Sequence, residues 1–114
     1  MKPYDYINLL SHRTKEDFLN WAVSVYNYPK RPIKEDFIES MIIEWFRSEE
    51  LNIEVIPQTS CVGTAHYYLI NGDTNGLYYS FSYQALEEGI EQANKLYNLG
   101  ITSNVWSDAF FKQL

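Results

Sequence analysis

The 114-residue sequence is poor in the residues most chemistry needs, with one cysteine, two histidines and five glycines. Cys61 stands alone, so no internal disulfide can form, which agrees with a reducing compartment, and a buried or loop thiol is the plain reading. The soft metal ligands on offer are His12, His66 and Cys61, with no short Cys or His pair to seed a tetrahedral shell, so no metal is expected. No glycine-rich phosphate loop occurs and no cofactor is expected. No apolar run approaches the roughly 20 residues that cross a bilayer. Met1-Lys2-Pro3-Tyr4-Asp5 lacks the apolar segment of a signal peptide, so the expected location is cytoplasmic, without a membrane partner. Basic charge is scarce in the second half. Residues 1–47 hold seven basic and seven acidic side chains, and the remaining two basic and eight acidic ones place the whole net charge of −6 in residues 48–114. A duplex-binding surface needs clustered Lys and Arg to displace counterions, and only Lys95 and Lys112 are available there, so no nucleic-acid partner is expected.

What the sequence has in abundance is aromatic rings: ten Tyr, six Phe and three Trp. Rings on this scale must supply much of the core, and the tyrosines carry a polar tip suited to a surface. The length and the 46% hydrophobic content fit one folded domain.

Along the chain, residues 3–11 read as a short helix with Pro3 in its first turn. A second helix follows from a capping-box-like Thr14 and Asp17, with Phe18, Trp21, Ala22 and Val25 at helical spacing. Pro29-Lys30-Arg31-Pro32 reads as a turn whose basic residues, with Lys34, face solvent. Ile33, Phe37, Ile38, Met41, Ile42, Trp45 and Phe46 form a continuous stripe, which predicts a core helix to Glu50. Residues 51–56 alternate as an edge strand ended by Pro57, and 58–63 read as a loop.

The clearest pattern is a tyrosine-rich hairpin, residues 64–70 and 77–81, around a turn with two Asn-Gly pairs. Alternation groups Ala65, Tyr67, Leu69, Leu77, Tyr79 and Phe81 on an expected core face. His66, Tyr68, Ile70, Tyr78, Ser80 and Ser82 fall on a mixed face that is partly wet or covered. Ser82 is the expected cap of a helix from Tyr83 to Leu99 that buries Leu86, Ile90, Ala93, Leu96 and Tyr97 and stops at Gly100. Gly89, inside that helix, points to close approach of another backbone. Residues 102–114 read as a last short helix.

Three constellations are weighed as chemistry. Residues 71–76 match the first half of a calcium loop, but the twelfth position, where a bidentate Glu should close the shell, is Ser82. Cys61 and His66 flank one loop without a visible third group to orient them as a nucleophile and base. Glu87, Glu88 and Glu91 lie near a helix start, where carboxylates favour the positive dipole end. No enzymatic activity is expected.

The order helix, strand, strand, strand, helix over residues 33–99, with Gly63-Thr64-Ala65-His66, resembles the double-stranded RNA-binding domain. That family grips phosphates with lysines at the start of its last helix, and the matching stretch here, Tyr83 to Glu88, ends in acids that repel phosphate. Trp45-Phe46-Arg47 at a helix end, the tyrosine-rich hairpin, and Tyr83 to Gly89 as Tyr-x-x-Ala-Leu-Glu-x-Gly also resemble a loose group of small proteins from phages and mobile elements of gut bacteria. That second resemblance covers about residues 41–99 and implies an α+β fold without catalytic residues.

The expected architecture is α+β: a three-stranded antiparallel meander with helices on one face. Residues 1–32 form an N-terminal helical extension, 33–100 the αβββα core and 101–114 a C-terminal segment. The expected function is a non-enzymatic protein-binding module, of the kind by which a phage or mobile element modulates a host protein, with an acidic half to steer a basic partner. The site is placed on His66, Tyr68, Tyr78 and Ser80. The alternative is a small-molecule or nucleotide binder with an aromatic pocket between the sheet and the N-terminal helices. The oligomeric state is left open, a homodimer included.

Overall fold

The computed structural model describes residues 3–28 and 35–100, with side-chain surroundings for 6–28 and 37–100. The expected turn at 29–32 and the expected helix at 102–114 lie outside the described residues. The order is a 3-10 stretch (Pro3–Leu9), helix α1 (His12–Tyr26), helix α2 (Glu35–Ser48), strands β1 (Ile53–Ser60) and β2 (Gly63–Ile70), and helix α3 (Ser82–Leu99). The class is α+β, with a two-stranded antiparallel sheet. The N-terminal region contributes one α-helix behind a 3-10 stretch, not the two helices expected.

The apolar stripe of α2 buries Ile38, Met41, Ile42, Trp45 and Phe46, while Phe37 is 45% exposed and sets its ring edge-on to Tyr26 at 5.5 Å. Val25, expected on the buried side of α1, is exposed too; Thr14, Phe18 and Ala22 are the residues α1 buries. Trp45 is the hub, with the rings of Phe18, Phe46 and Tyr97 at 5.9, 5.0 and 4.9 Å.

The fully paired hairpin lies one strand earlier than the Asn-Gly pairs placed it, although Asn71-Gly72 does make a tight turn, at φ 54° and 86°, with Ile70 and Asp73 exchanging backbone hydrogen bonds at 2.8 and 3.0 Å. β1 runs through Pro57 to Ser60 and turns at Cys61 and Val62 into β2, in the register Ile53↔Ile70, Val55↔Tyr68 and Pro57↔His66. Pro57 does not end the strand because its partner has no need of its missing N–H. His66 sends both its N–H and its C=O to the other side, to Tyr79, at 2.8 and 2.7 Å. Pro57 thus sits at a non-hydrogen-bonded pair of an edge strand, where proline costs the ladder nothing.

The expected third strand shrinks to that single His66↔Tyr79 bridge. Leu77 and Phe81 flank Tyr79 on the same pairing side, and local side chains have already taken their N–H groups. Asn75 Oδ1 accepts from Leu77 at 2.9 Å and Gln84 Oε1 from Phe81 at 3.2 Å. With those donors committed, no ladder extends beyond one pair. Phe81, not Ser82, occupies the capping position of α3.

Sheet and helix meet at Gly89. A Cβ there would lie 3.2 Å from Ile53 Cγ2 and 3.3 Å from Tyr68 Cγ, so the glycine admits two core side chains, where a backbone was expected. Ile53, Tyr68 and Ile70 are buried against α3. The face expected to be mixed is therefore the core face of the sheet. Ala65, Tyr67 and Leu69, expected in the core, are half-buried on the opposite face.

Asn94 and Asn98 of α3 hold the N-terminus of α1. Ser11 N–H donates to Asn94 Oδ1 at 3.0 Å and Thr14 N–H to Asn98 Oδ1 at 3.2 Å, while Asn94 Nδ2 donates to Ser11 Oγ at 2.9 Å. No side chain of α1 caps its own first turn, so the Thr14 capping box is replaced by caps from another helix.

Candidate functional site

The bridge between His66 and Tyr79 decides which tyrosines face outward. Residues paired across a sheet share a face, so His66, Tyr68 and Tyr79 lie on the core side and Tyr67, Tyr78 and Ser80 on the other. The ring contacts agree: Tyr67 meets Tyr78 edge-on at 5.6 Å, and Tyr68 lies 6.5 Å from Tyr79. The four candidate residues do not form one surface. Tyr68 is 2% exposed and is core; burial, with lesser effects of Tyr79 and Glu88, raises its phenol pKa. His66 is half-buried, with Nδ1 shielded from solvent and unpartnered. Tyr78 and Ser80 are exposed on the outer face. Grouping His66 and Tyr68 with Tyr78 and Ser80 sets the two arms one position out of register, and a slip of one exchanges the faces.

Exposed rings gather instead along the segment that leads from β2 into α3. Leu77, Tyr78 and Phe81 are each more than half exposed, and Tyr83 is 37% exposed. Phe81 and Tyr83 stack at 5.5 Å with 12° between their planes. Phe81 stands outside because the residue that caps a helix in extended conformation, here at φ −126° and ψ 148°, precedes the first turn and shares none of its buried face. Sequence alternation could have found Tyr67 had the register been known. Phe81 was hidden by its place in an apparent strand.

Beside this ridge, a groove of about 290 Å³ opens between the 3-10 stretch, α2, β1 and the start of α3. Ile43, Ile53, Val55 and Leu86 give it apolar walls, and Tyr83 stands at its edge. Its polar groups come from Tyr6, Glu39 and Ser82. The Tyr6 hydroxyl is buried without a hydrogen-bond partner. Its pKa is pushed up to about 12, first by burial and then by the charges of Glu39 and Glu87. Glu87 Oε1 is also buried without a partner, and burial raises that carboxyl, helped by Glu91 and Glu88.

The other constellations are accounted for locally. Cys61 is exposed at the hairpin tip, and His66 lies three residues into β2, roughly 10 Å of extended chain from the turn. In the 71–76 turn, Asn71 Oδ1 accepts from Asn52 N–H, Thr74 Oγ1 from Gly76 N–H and Asn75 Oδ1 from Leu77 N–H. Among the described residues no three His, Cys, Asp or Glu side chains are grouped to hold a metal ion, and no helix is long and apolar enough to cross a membrane. No protein-family model matches the chain, nor does any curated protein or solved structure.

Proposed function

We propose that the protein is a non-enzymatic binding module, of the kind by which a phage or mobile element modulates a host protein, and that it docks a basic, apolar segment of another protein on the ridge of Tyr78, Phe81 and Tyr83. The observation that carries this reading is the stacked Phe81–Tyr83 pair beside an exposed Tyr78. Rings that keep each other rigid offer large contact area at low entropic cost, the usual make-up of a hot spot. The charge of the partner follows from the surroundings. Between residues 48 and 100 the chain carries seven acidic side chains and one basic one, Lys95, so an approaching cationic segment is steered in and an anionic one is turned away.

Selection from a display library of random peptides tests this. Enriched peptides should combine Lys or Arg with apolar residues, and a Tyr78→Ala, Phe81→Ala variant should lose them while keeping its melting temperature. Enrichment of acidic peptides, or undiminished binding by the variant, would sink the proposal.

The second reading, a small molecule held between the sheet and the N-terminal segment, is favoured by the groove itself, whose volume lies at the small end of ligand pockets. A nucleotide is the wrong guest, because Glu39 would face its phosphates.

A further inference from the structure

The groove contains an arrangement that folding alone does not explain. Tyr6 is 1% exposed, its hydroxyl has no partner, and Glu39 and Glu87 both act on that hydroxyl. A buried hydroxyl without a partner is costly to the fold, and phenylalanine would fill the same space without that cost. Glu87 Oε1 repeats the pattern with an acceptor. The unsatisfied Tyr6 hydroxyl beside the Glu39 carboxylate, in a groove walled by Ile53, Val55 and Leu86 and with Glu87 acting on the same hydroxyl, is complementary to a group with several N–H donors, a positive charge and an aliphatic stem. We propose that the groove receives the side chain of an arginine or lysine in the docked partner, its stem against Val55 and Leu86 and its head among Tyr6, Glu39 and Glu87. This rests on the reading that the adjoining ridge docks a protein, and Tyr83 joins the two, since it lines the groove and stacks on Phe81. A guanidinium, planar with five donors, fits such a site better than an ammonium.

The head and stem can be tested without the partner. In NMR titrations of the whole chain, n-butylguanidinium should shift the methyl resonances of Ile53, Val55 and Leu86 with a dissociation constant in the millimolar range. n-Butanol and butyrate at equal concentration should not. Tyr6→Phe should fold at least as stably and bind n-butylguanidinium at least about tenfold more weakly, because each hydrogen bond to a charged group is worth about that factor or more. Glu87→Gln should weaken it similarly. No methyl shifts, equal shifts with butanol, or unchanged affinity in Tyr6→Phe would each overturn the proposal. None of these touches the ridge, whose own test is loss of peptide binding in the Tyr78 and Phe81 variant. The last arm replaces each Arg or Lys of a ridge-selected peptide by citrulline or norleucine in turn. One replacement should cost tenfold or more in the wild type and little in Tyr6→Phe. If every replacement is silent while n-butylguanidinium still binds, the groove serves a free organic cation and the assignment to the partner's side chain is wrong.

Discussion

Tyr68 and Tyr78 look alike in the sequence, and their environments separate them completely. Removing the Tyr68 ring leaves a cavity against Gly89 and Ile53, so Tyr68→Ala should cost about 3–5 kcal/mol, as for other large aromatic truncations in a core. Tyr78→Ala, on the solvent side, should change stability by no more than about 0.5 kcal/mol. Urea unfolding of the two variants separates these outcomes directly. Equal losses would mean the ring pairings have been misassigned. Gly89 gives the complementary case. Alanine in a helix interior gains about 1 kcal/mol over glycine in propensity, but the added methyl would press on Ile53 and Tyr68 at 3.2 and 3.3 Å. Overpacking costs about 1–3 kcal/mol. Tyr68 Cγ is fixed at the root of its ring, so the clash should win and Gly89→Ala should lower the unfolding free energy by about 1 kcal/mol. A stabilised variant would show that α3 can lift off the sheet.

Among the elements, helices were far more legible than pairing. The stripe Ile38, Met41, Ile42, Trp45 and Phe46 and the stop at Gly100, with φ 75°, follow from spacing and backbone chemistry within one segment. Strand pairing does not, because alternation fixes which residues of one arm share a face but not which face of the neighbouring arm joins them. That one undetermined bit inverted the sheet and misplaced Tyr68. The third strand was lost to Asn75 and Gln84, whose competition for backbone donors shows only once the turn is closed. The groove was invisible for a related reason: Tyr6, Glu39 and Val55 are brought together by packing alone. The join between α1 and α3 makes a prediction at this scale. Asn94 is 8% exposed and serves both the Ser11 N–H and the Ser11 Oγ. Asn94→Ala leaves the part-buried Ser11 N–H without its acceptor and Ser11 Oγ without its donor, and should cost about 1–3 kcal/mol. The Ser11→Ala, Asn94→Ala double variant should cost less than the sum of the single ones, since both remove one shared bond. Strict additivity would mean that the helices are held by apolar contact instead.

For the molecule as a whole, the titration pattern predicts an unusual pH profile. Tyr6 and Tyr97 are pushed up to about 12 from an ordinary 10.0, in both cases chiefly by burial, and for Tyr97 also by its hydrogen bond to Asp17; Tyr68 is raised as well. A phenol that holds its proton more tightly folded than unfolded contributes stability that is complete below pH 10 and is lost as pH climbs through the folded value. Glu87 and Glu91 are also raised, again mainly by burial. For a carboxyl that direction inverts the usual acid behaviour: the contribution is present at low pH and disappears as the group ionises. With a net charge of −6, partial neutralisation also relieves self-repulsion. Urea midpoints should therefore be at least as high at pH 5 as at pH 7 and should fall steeply between pH 10 and pH 12. A midpoint that drops from pH 7 to pH 5 would mean that paired carboxylates dominate instead. The alkaline limb has its own control, because Tyr6→Phe removes one of the raised phenols without a lost hydrogen bond and should make the fall between pH 10 and pH 12 shallower.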